Sequence, residues 1–377
     1  MDDDLPNYDS LCPHHGLFII NYSKEIIYTL TQVERTVNDV YGIFILFLSP
    51  INIAANIFSG VILIKKELRN PFNIILSIMC LTAAIPLLLQ SSFAYRKVSI
   101  TECSAQTETY SIALHNLIIL NSLVPFRAAY TWITVFLTIL RYKALKSKGK
   151  WEATYPLATV GTILLSGLSA SAGIPMYMVN VIGELSIEEA CLRAALPGEE
   201  GLTVPEPMWS PTFFDNNCLI FNINQLVSGI IHNTLPSLIL LGSTIMLTLE
   251  LGKARKGHNA VTTKSSKGND DAVKAARMLT VVAILTLLSE LPQGIISLSV
   301  FFFPLGYQWH YVDRLTRVWV TIQLITTSCN LLIYLVMSKN FRKAVIAMFC
   351  SRCRQTKTLS PQPSVISAST TVKQSRF

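Results

Sequence analysis

The sequence predicts an all-α membrane protein, a bundle of seven transmembrane helices followed by a short amphipathic eighth helix. Three observations predict this fold. Seven apolar segments occur, each at least as long as the ~20 residues that a helix needs to cross a ~30 Å hydrocarbon core. The composition is 51% apolar and only 14% charged, which is too apolar for an ordinary soluble protein of 377 residues. Basic residues concentrate in alternate connections, and therefore on one side of the membrane.

The elements follow in order along the chain. Residues 1–40 are predicted as an extracellular tail without the pattern of a cleavable signal, so that the first spanning helix directs insertion. The transmembrane domain covers residues 41–337, with spanning segments at about 41–64, 72–93, 109–141, 155–178, 219–250, 272–304 and 311–337. Residues 338–350 are predicted as amphipathic helix 8, and residues 351–377, rich in Ser, Thr and Pro, as a disordered cytosolic tail.

The basic residues predict the orientation. With the N-terminus outside, the cytosolic connections and the tail hold three, five, seven and eight Lys or Arg residues, 23 of the 31 in the chain. Such a bias places the basic side in the cytosol. We therefore expect a multi-pass protein of the plasma membrane with an extracellular N-terminus and a cytosolic C-terminus.

The outer connections are acidic. The stretch from Glu184 to Asp215 carries seven acidic residues against the single base Arg193. Two interpretations stay open, a solvated loop or a negative field that attracts a cationic ligand. Asn21-Tyr22-Ser23 is the one glycosylation sequon on the outer side, and we expect Asn21 to carry a glycan.

The eight cysteines divide by compartment. Cys12, Cys103, Cys191 and Cys218 fall in outer segments, where an oxidising environment allows three alternative pairings. Two more lie inside predicted helices and are expected to be free and buried. Cys350 and Cys353 follow the predicted eighth helix, where they are either palmitoylated or idle thiols.

Sequence motifs appear at the ends of the spanning segments. The third segment ends in Arg141-Tyr142, and the seventh ends in Asn330-Leu331-Leu332-Ile333-Tyr334, seven residues before Phe341. The remaining motif residues are the intramembrane Asn56, Pro236 and Trp132 and the run Glu290-Leu291-Pro292-Gln293-Gly294. Together these motifs resemble the rhodopsin-like G-protein-coupled receptors over about residues 41–350. The run at Glu290 and Trp132 narrow the resemblance to myosuppressin and FMRFamide-type peptide receptors and their nematode serpentine relatives.

The resemblance implies a function and a set of partners. It implies an extracellular ligand, most simply a short peptide ending in an amidated Arg-Phe, and a heterotrimeric G protein, with arrestin at the Ser/Thr-rich tail. It implies that Arg141, Tyr142, Asn330 and Tyr334 take part in G-protein activation. It also implies a disulfide that ties the outer loop to the third helix, for which Cys103 and Cys191 are the nearest candidates. Cys12 would then remain near Cys218, although Cys218 could replace Cys191.

The chain departs from the family pattern at four places. Leu140 replaces the acid before the arginine, and Ala83 falls where the second helix usually carries an Asp, which argues against a sodium site. Leu331 replaces the proline of the seventh helix, and no cysteine begins the third helix, where Asn116 stands. The loss of the acid at Leu140 predicts a looser resting state for the arginine.

Two opposite charges lie inside predicted spanning helices. Arg127 is 14 residues from Arg141, about 21 Å along a helix, and Glu290 lies at a similar depth in the sixth segment. Charges within a bilayer cost ~2.5–3.5 kcal/mol or more and seek partners in the bundle interior. We expect an ion pair that gates activation, although two separately solvated groups would also be compatible. For His232, at a similar depth in the fifth segment, two interpretations stay open, a place in the same cavity or a structural hydrogen-bonding role. The predicted ligand-binding set is Arg127, His232, Glu290, Gln293 and Gln323.

Other functional classes fit less well. A secondary transporter would show internal repeats and paired broken helices, and no repeat is visible. Enzymatic motifs and metal-ligand spacings are also missing, so we predict a non-enzyme that needs no cofactor or metal. The net charge of +8 reflects the cytosolic loops rather than a nucleic-acid partner. Within the receptor class, a small-molecule chemosensory receptor remains the alternative to a peptide receptor.

Overall fold

The computed structural model describes residues 24–66, 68–99, 108–147, 150–187, 201–213, 215–260, 267–303 and 305–349. Seven long helices follow one another through these residues, as the sequence predicts. By length and composition, six are apolar enough to cross a membrane: Pro71–Ser92, Tyr110–Lys146, Tyr155–Val179, Cys218–Ala254, Val273–Ser299 and His310–Met337. The first helix contributes a shorter apolar stretch, Phe47–Leu63.

The helices are labelled α1 to α8 in chain order. The first four are α1 (Lys24–Leu63), α2 (Pro71–Ser99), α3 (Tyr110–Lys146) and α4 (Tyr155–Ala172, resumed after Gly173 as Ile174–Val179). Helix α5 comprises Asp215–Leu226, the π-helical Val227–Thr234 and Leu235–Ala260. They are followed by α6 (Lys267–Ser299), α7 (Asp313–Met337, preceded by Leu305–Tyr307 and π-helical Gln308–Val312) and α8 (Lys339–Phe349).

Helix α1 begins earlier than the apolar pattern predicts. The sequence placed an outer tail up to residue 40, whereas the helix starts at Lys24 and runs for 40 residues. Residues 24–40 are mixed polar and apolar, so no apolar run marks them. They also contain no Gly or Pro, the two residues that most strongly interrupt a helix. The helix therefore continues beyond the length that the bilayer requires.

Among the described residues, the packed interior includes a larger inner cluster, a smaller outer cluster and a group of four residues shared by α3, α5 and α6. The larger cluster joins α2, α3, α6, α7 and α8 towards the predicted cytosolic side and includes Ile75, Met79, Leu137, Tyr334 and Phe341. The smaller one lies at the opposite ends of α4 to α7, on the predicted extracellular side, which is called the outer side below, and includes Val179, Phe213, Phe221, Val300 and Val312. Between these clusters lies the part of the bundle that contains Arg127 and Glu290.

An antiparallel β-hairpin covers the outer end of α3, a feature the sequence did not predict. Strand β1 (Asn180–Ser186) pairs with β2 (Thr203–Trp209), from Asn180 opposite Trp209 to Ser186 opposite Thr203. At its base, Ser210 N donates to Val179 O at 2.7 Å. Asn180 Nδ2 donates to Asn121 Oδ1 of α3 at 2.8 Å. The acidic outer segment is therefore partly an ordered hairpin fixed to α3.

Candidate functional site

Arg127 of α3 and Glu290 of α6 meet in the core of the bundle, as predicted. Arg127 Nη2 lies 3.6 Å from Glu290 Oε2, and the side chains are 20% and 8% exposed. Gln323 of α7 donates from Nε2 to Glu290 Oε1 at 3.0 Å. Both carboxylate oxygens are thus engaged, whereas Arg127 Nε is buried without a hydrogen-bond partner among the described residues. The three side chains tie α3, α6 and α7 together at one point.

A small cavity of about 50 Å³ adjoins this cluster. That volume holds a few water molecules, since one water needs ~10–15 Å³ of such space. Ala83 lies in its wall, and among the described residues that line the cavity the one carboxylate is that of Glu290 of α6. The lining residues are Ala83, Pro86, Leu87, Gln90, Arg127, Tyr130, Glu290, Gln323 and Thr327.

Two members of the predicted ligand-binding set lie elsewhere. His232 does not line this cavity, because its ring turns towards α4 and lies 3.3 Å from Ser169 O through Nε2. Gln293 lies about one turn beyond Glu290 on α6, is not among the residues that line this cavity, and donates from Nε2 to Ser297 Oγ and Thr316 Oγ1, each at 3.4 Å. Similar depth along two helices does not ensure a common cavity, because the helical rotation decides which way each side chain points. The structure therefore brings together Arg127, Glu290 and Gln323.

Trp319 is a site residue that sequence reasoning missed. Its indole Nε1 donates to the carbonyl oxygen of Ser289, one residue before Glu290. Gln323 lies one helical turn further along α7, so both side chains reach the same part of α6. Pro292 cannot donate a backbone hydrogen bond, which weakens the helix at this level. The sequence offered one signal for Trp319, because its spacing of four residues from Gln323 places both side chains on the same face of a helix.

The outer halves of α5 and α6 are in close backbone contact. A Cβ added at Gly294 would lie 3.1 Å from Thr234 Oγ1 and 3.2 Å from its Cα. Thr234 Oγ1 donates to Gly294 O at 3.2 Å. The π-helical segment of α5 also contacts α3, because Trp132 Nε1 donates to Ile231 O at 3.1 Å. Helix α6 is therefore held on its outer side next to Pro292.

The motif residues at the predicted cytosolic end make specific contacts. The guanidinium carbon of Arg141 lies 3.8 Å from the centroid of the Phe72 ring. Tyr142 lies beneath Lys146, with Nζ 5.5 Å from the ring centroid. Tyr334 is buried, receives a weak hydrogen bond from Cys80 Sγ at 3.9 Å and packs against Phe341 with ring centroids 5.8 Å apart. The side chain of Asn330 lies outside the described residues.

Several predicted modification sites also lie outside the described residues. They are Asn21, Cys103, Cys191, Cys350 and Cys353. Cys218 is disulfide-bonded. The other cysteines in the described part of the chain, Cys80 and Cys329, are free, so the partner of Cys218 lies beyond that part. The predicted pairing of Cys103 with Cys191 therefore stays a prediction.

Comparison with known proteins supports the same fold and family. A sequence profile described as "Serpentine type 7TM GPCR chemoreceptor Srw" matches residues 43–352. A relative, "G-protein coupled receptor dmsr-1" of Caenorhabditis elegans, is 22% identical over 374 residues, covering 88% of this chain and 72% of the relative. Among solved structures, squid rhodopsin matches with a TM-score of 0.57 at 15% identity, covering 91% of this chain and 94% of that one. The profile spans most of the chain, and the protein therefore belongs to the Srw family of serpentine seven-transmembrane G-protein-coupled receptors.

Proposed function

We propose that this receptor is activated by a short amidated peptide at its outer face and that the Arg127–Glu290 pair gates the activation. Membership of the family implies a ligand and a coupled G protein. The identity of the ligand and the role of the pair are our proposals. The observation that carries them is the cluster of Arg127, Glu290 and Gln323, which links three helices below the outer hairpin.

The position of the pair on α6 supports a gating role. Glu290 lies two residues before Pro292, where the helix lacks a backbone hydrogen bond and bends more easily. The ion pair and the Gln323 amide hold α6 to α3 and α7 at this level. A ligand group that competes for Arg127 or Glu290 would release α6. The cytosolic half of α6 could then move relative to α3, and Arg141, Tyr142, Asn330 and Tyr334 would engage the G protein.

The size of the core cavity favours a ligand that binds mainly above it. Small-molecule pockets have volumes of ~300–1,000 Å³, whereas the cavity beside Arg127 holds about 50 Å³. One terminal group could enter it, but a whole odorant could not. The hairpin and the outward extension of α1 offer an extended outer surface on which a peptide could lie. A small-molecule ligand is the second candidate, because the family is described as chemoreceptors.

The remaining assignments follow from the sequence. The distribution of basic residues supports a plasma-membrane protein with Asn21 outside and the C-terminal tail inside. On that orientation Asn21 carries a glycan, Cys103 pairs with Cys191, Cys350 and Cys353 carry palmitoyl groups, and the Ser/Thr-rich tail engages arrestin.

A single cell-based experiment tests the ligand class and the topology. The full-length receptor carries one epitope tag at each end and is expressed with a G-protein activation reporter. Synthetic peptides ending in Arg-Phe-amide are applied beside the same peptides with a free carboxylate and beside a panel of small odorants. We expect activation by amidated peptides and labelling of only the N-terminal tag on intact cells. Activation by odorants alone would overturn the peptide assignment, and labelling of the C-terminal tag on intact cells would overturn the topology.

A further inference from the structure

The structure raises the question of what restrains Arg141 at the cytosolic end of α3. The residue before it is Leu140, which is buried and cannot pair with a cation. Within the part of the chain that the structure describes, Arg141 makes no ion pair. Its close cationic contact is with an aromatic ring, because the guanidinium carbon lies 3.8 Å from the centroid of Phe72. A cation over an aromatic face within ~6 Å is attracted by the ring quadrupole.

The start of α2 holds the Phe72 ring in a fixed position. Pro71 opens the helix with a preset backbone angle. Asn70 accepts a hydrogen bond from Asn73 N at 2.9 Å through Oδ1, as a capping residue does. Asn73 Nδ2 in turn donates to Leu68 O of the preceding loop at 2.7 Å. The Phe72 ring is partly buried and packs against the larger core cluster, so one face of the ring is supported by the core while the other meets the guanidinium.

Neighbouring contacts have the same chemistry but join other elements. Arg69 lies 5.8 Å from the ring centroid of Tyr155, and Lys143 lies 4.6 Å from that of Trp151. The Arg69 contact connects the α1–α2 loop to α4, and the Lys143 contact connects α3 to the segment before α4. The Arg141 contact is shorter than both and connects α3 to α2. A planar guanidinium also stacks on a ring more effectively than an ammonium group does.

We propose that Phe72 is the residue that positions Arg141 in the resting receptor, in place of the acid that Leu140 replaces. The ring holds the guanidinium against α2, and the arginine must leave the ring before it can contact the G protein. This inference rests on the proposed role of Arg141 in G-protein activation. Weakening the ring's attraction for a cation then raises ligand-independent activity without removing packing.

A fluorination series separates attraction from packing. Fluorine atoms withdraw charge from the ring face and weaken cation binding, while the ring keeps almost the same size. Mono-, di- and trifluorophenylalanine are placed at position 72 of the full-length receptor, which is reconstituted with purified G protein, and nucleotide exchange is measured without ligand. We expect basal exchange to rise stepwise along the series and to rise by about two- to thirtyfold in Phe72→Leu, the range set by the strength of such contacts. Phe72→Trp should keep exchange at or below the natural level.

Phe136 offers the matched control. It is a partly buried phenylalanine of α3 that packs against the same cluster, and no cation lies over its ring among the described residues. Fluorination at Phe136 should leave basal exchange unchanged. The thermal unfolding temperature, measured for every variant, should stay constant along both series, so that a change in exchange reports the contact with Arg141 and not the fold.

The possible results distinguish this inference from the proposed function. Arg141→Ala should abolish the nucleotide exchange that the receptor catalyses on the G protein. If it does so while the Phe72 series stays flat, Phe72 does not position the arginine and the inference is overturned. If Arg141→Ala leaves exchange intact, the proposed signalling role fails and the inference fails with it. The side chains of Asp270 and Asp271 lie outside the described residues. They are acidic residues near the start of α6 and could pair with Arg141. If their change to Asn raises basal nucleotide exchange while fluorination of Phe72 does not, the restraint on Arg141 comes from α6 instead.

Discussion

Removing one charge at a time from the Arg127–Glu290 pair tests whether the pair stabilises the fold and gates signalling. Glu290→Gln keeps the shape of the side chain and an oxygen for the Gln323 amide. Arg127→Met keeps the unbranched chain and removes the charge. The double variant carries neither charge, so neither is left unpaired. If the two groups act as one pair, the double variant should be milder than the sum of the single variants.

The geometry sets the expected magnitudes. At 3.6 Å, two unit charges in an effective dielectric of ~20 attract by about 4–5 kcal/mol. Removing one partner of a buried pair costs ~3–5 kcal/mol, because the other charge stays buried. Glu290 is 8% exposed and Arg127 20%, so Arg127→Met, which strands the better buried charge, should cost more than Glu290→Gln. The coupling free energy in the double variant should be about 1–3 kcal/mol.

The same chain provides a matched control pair. Glu250 and Lys253 approach more closely, at 3.2 Å, but their side chains are 19% and 74% exposed. An exposed pair at helical spacing contributes only ~0.2–0.5 kcal/mol. If burial decides the strength, the control cycle should give a coupling near zero despite its shorter distance.

The measurement is the free energy of unfolding of all four members of each cycle in mixed micelles, with surface expression and basal G-protein activation recorded in parallel. Additive effects of Arg127→Met and Glu290→Gln, or a coupling no larger than that of the control pair, would refute the reasoning. If the coupling free energy is as large as expected but no variant changes signalling, the pair stabilises the fold and does not gate activation.

Three further predictions concern other parts of the receptor. Gly294→Ala should lower the free energy of unfolding by about 1–3 kcal/mol, because its methyl group would press on Thr234; Gly242→Ala, with nothing within 4 Å, should be neutral or stabilising in the same unfolding assay. Trp132→Phe should cost about 1–2 kcal/mol by leaving the Ile231 carbonyl without its indole donor, and an unchanged unfolding temperature would contradict this. Removing charge from the outer loop should slow the association of a cationic peptide, most visibly at low salt, since exposed charges act mainly on association rate; equal rates at low and high salt would count against steering. The loop variant is the combined change to Gln of Glu188, Glu189, Glu199 and Glu200.

The apolar pattern was sufficient to predict the bundle. A spanning helix must hide its backbone polar groups within the segment, so length and hydrophobicity alone identify it. The helices start within a few residues of the predicted segments where Pro or a turn marks the boundary, as at Pro71 and Tyr155. The prediction was least accurate at α1, where the helix continues into polar sequence from Lys24 and hydrophobicity no longer reports on it.

The candidate site was only partly predictable. The predicted contact between Arg127 and Glu290 is confirmed. It could be predicted because a charge in a bilayer is too costly to leave without a partner, and only a few partners exist at that depth. Of the two interpretations of His232, the structure favours the hydrogen-bonding role at Ser169, and the sequence could not decide between them because the direction of the ring depends on the rotation of the π-helical part of α5. The hairpin over α3 was also missed, because its second strand contains Pro205 and Pro207 and neither strand has an alternating apolar pattern.

The apolar and charged patterns of the chain are enough to predict the number of helices, the side of the membrane on which the basic loops are expected and the need for Arg127 to find an opposite charge. These properties depend on free energies of transfer, which add up along the chain without reference to other segments. The folded bundle was needed to show that Gln323 completes the pair, that His232 faces α4 and that Phe72 lies beneath Arg141. Such contacts depend on the rotation of each helix about its axis and on its neighbours, and packing of the whole bundle sets both.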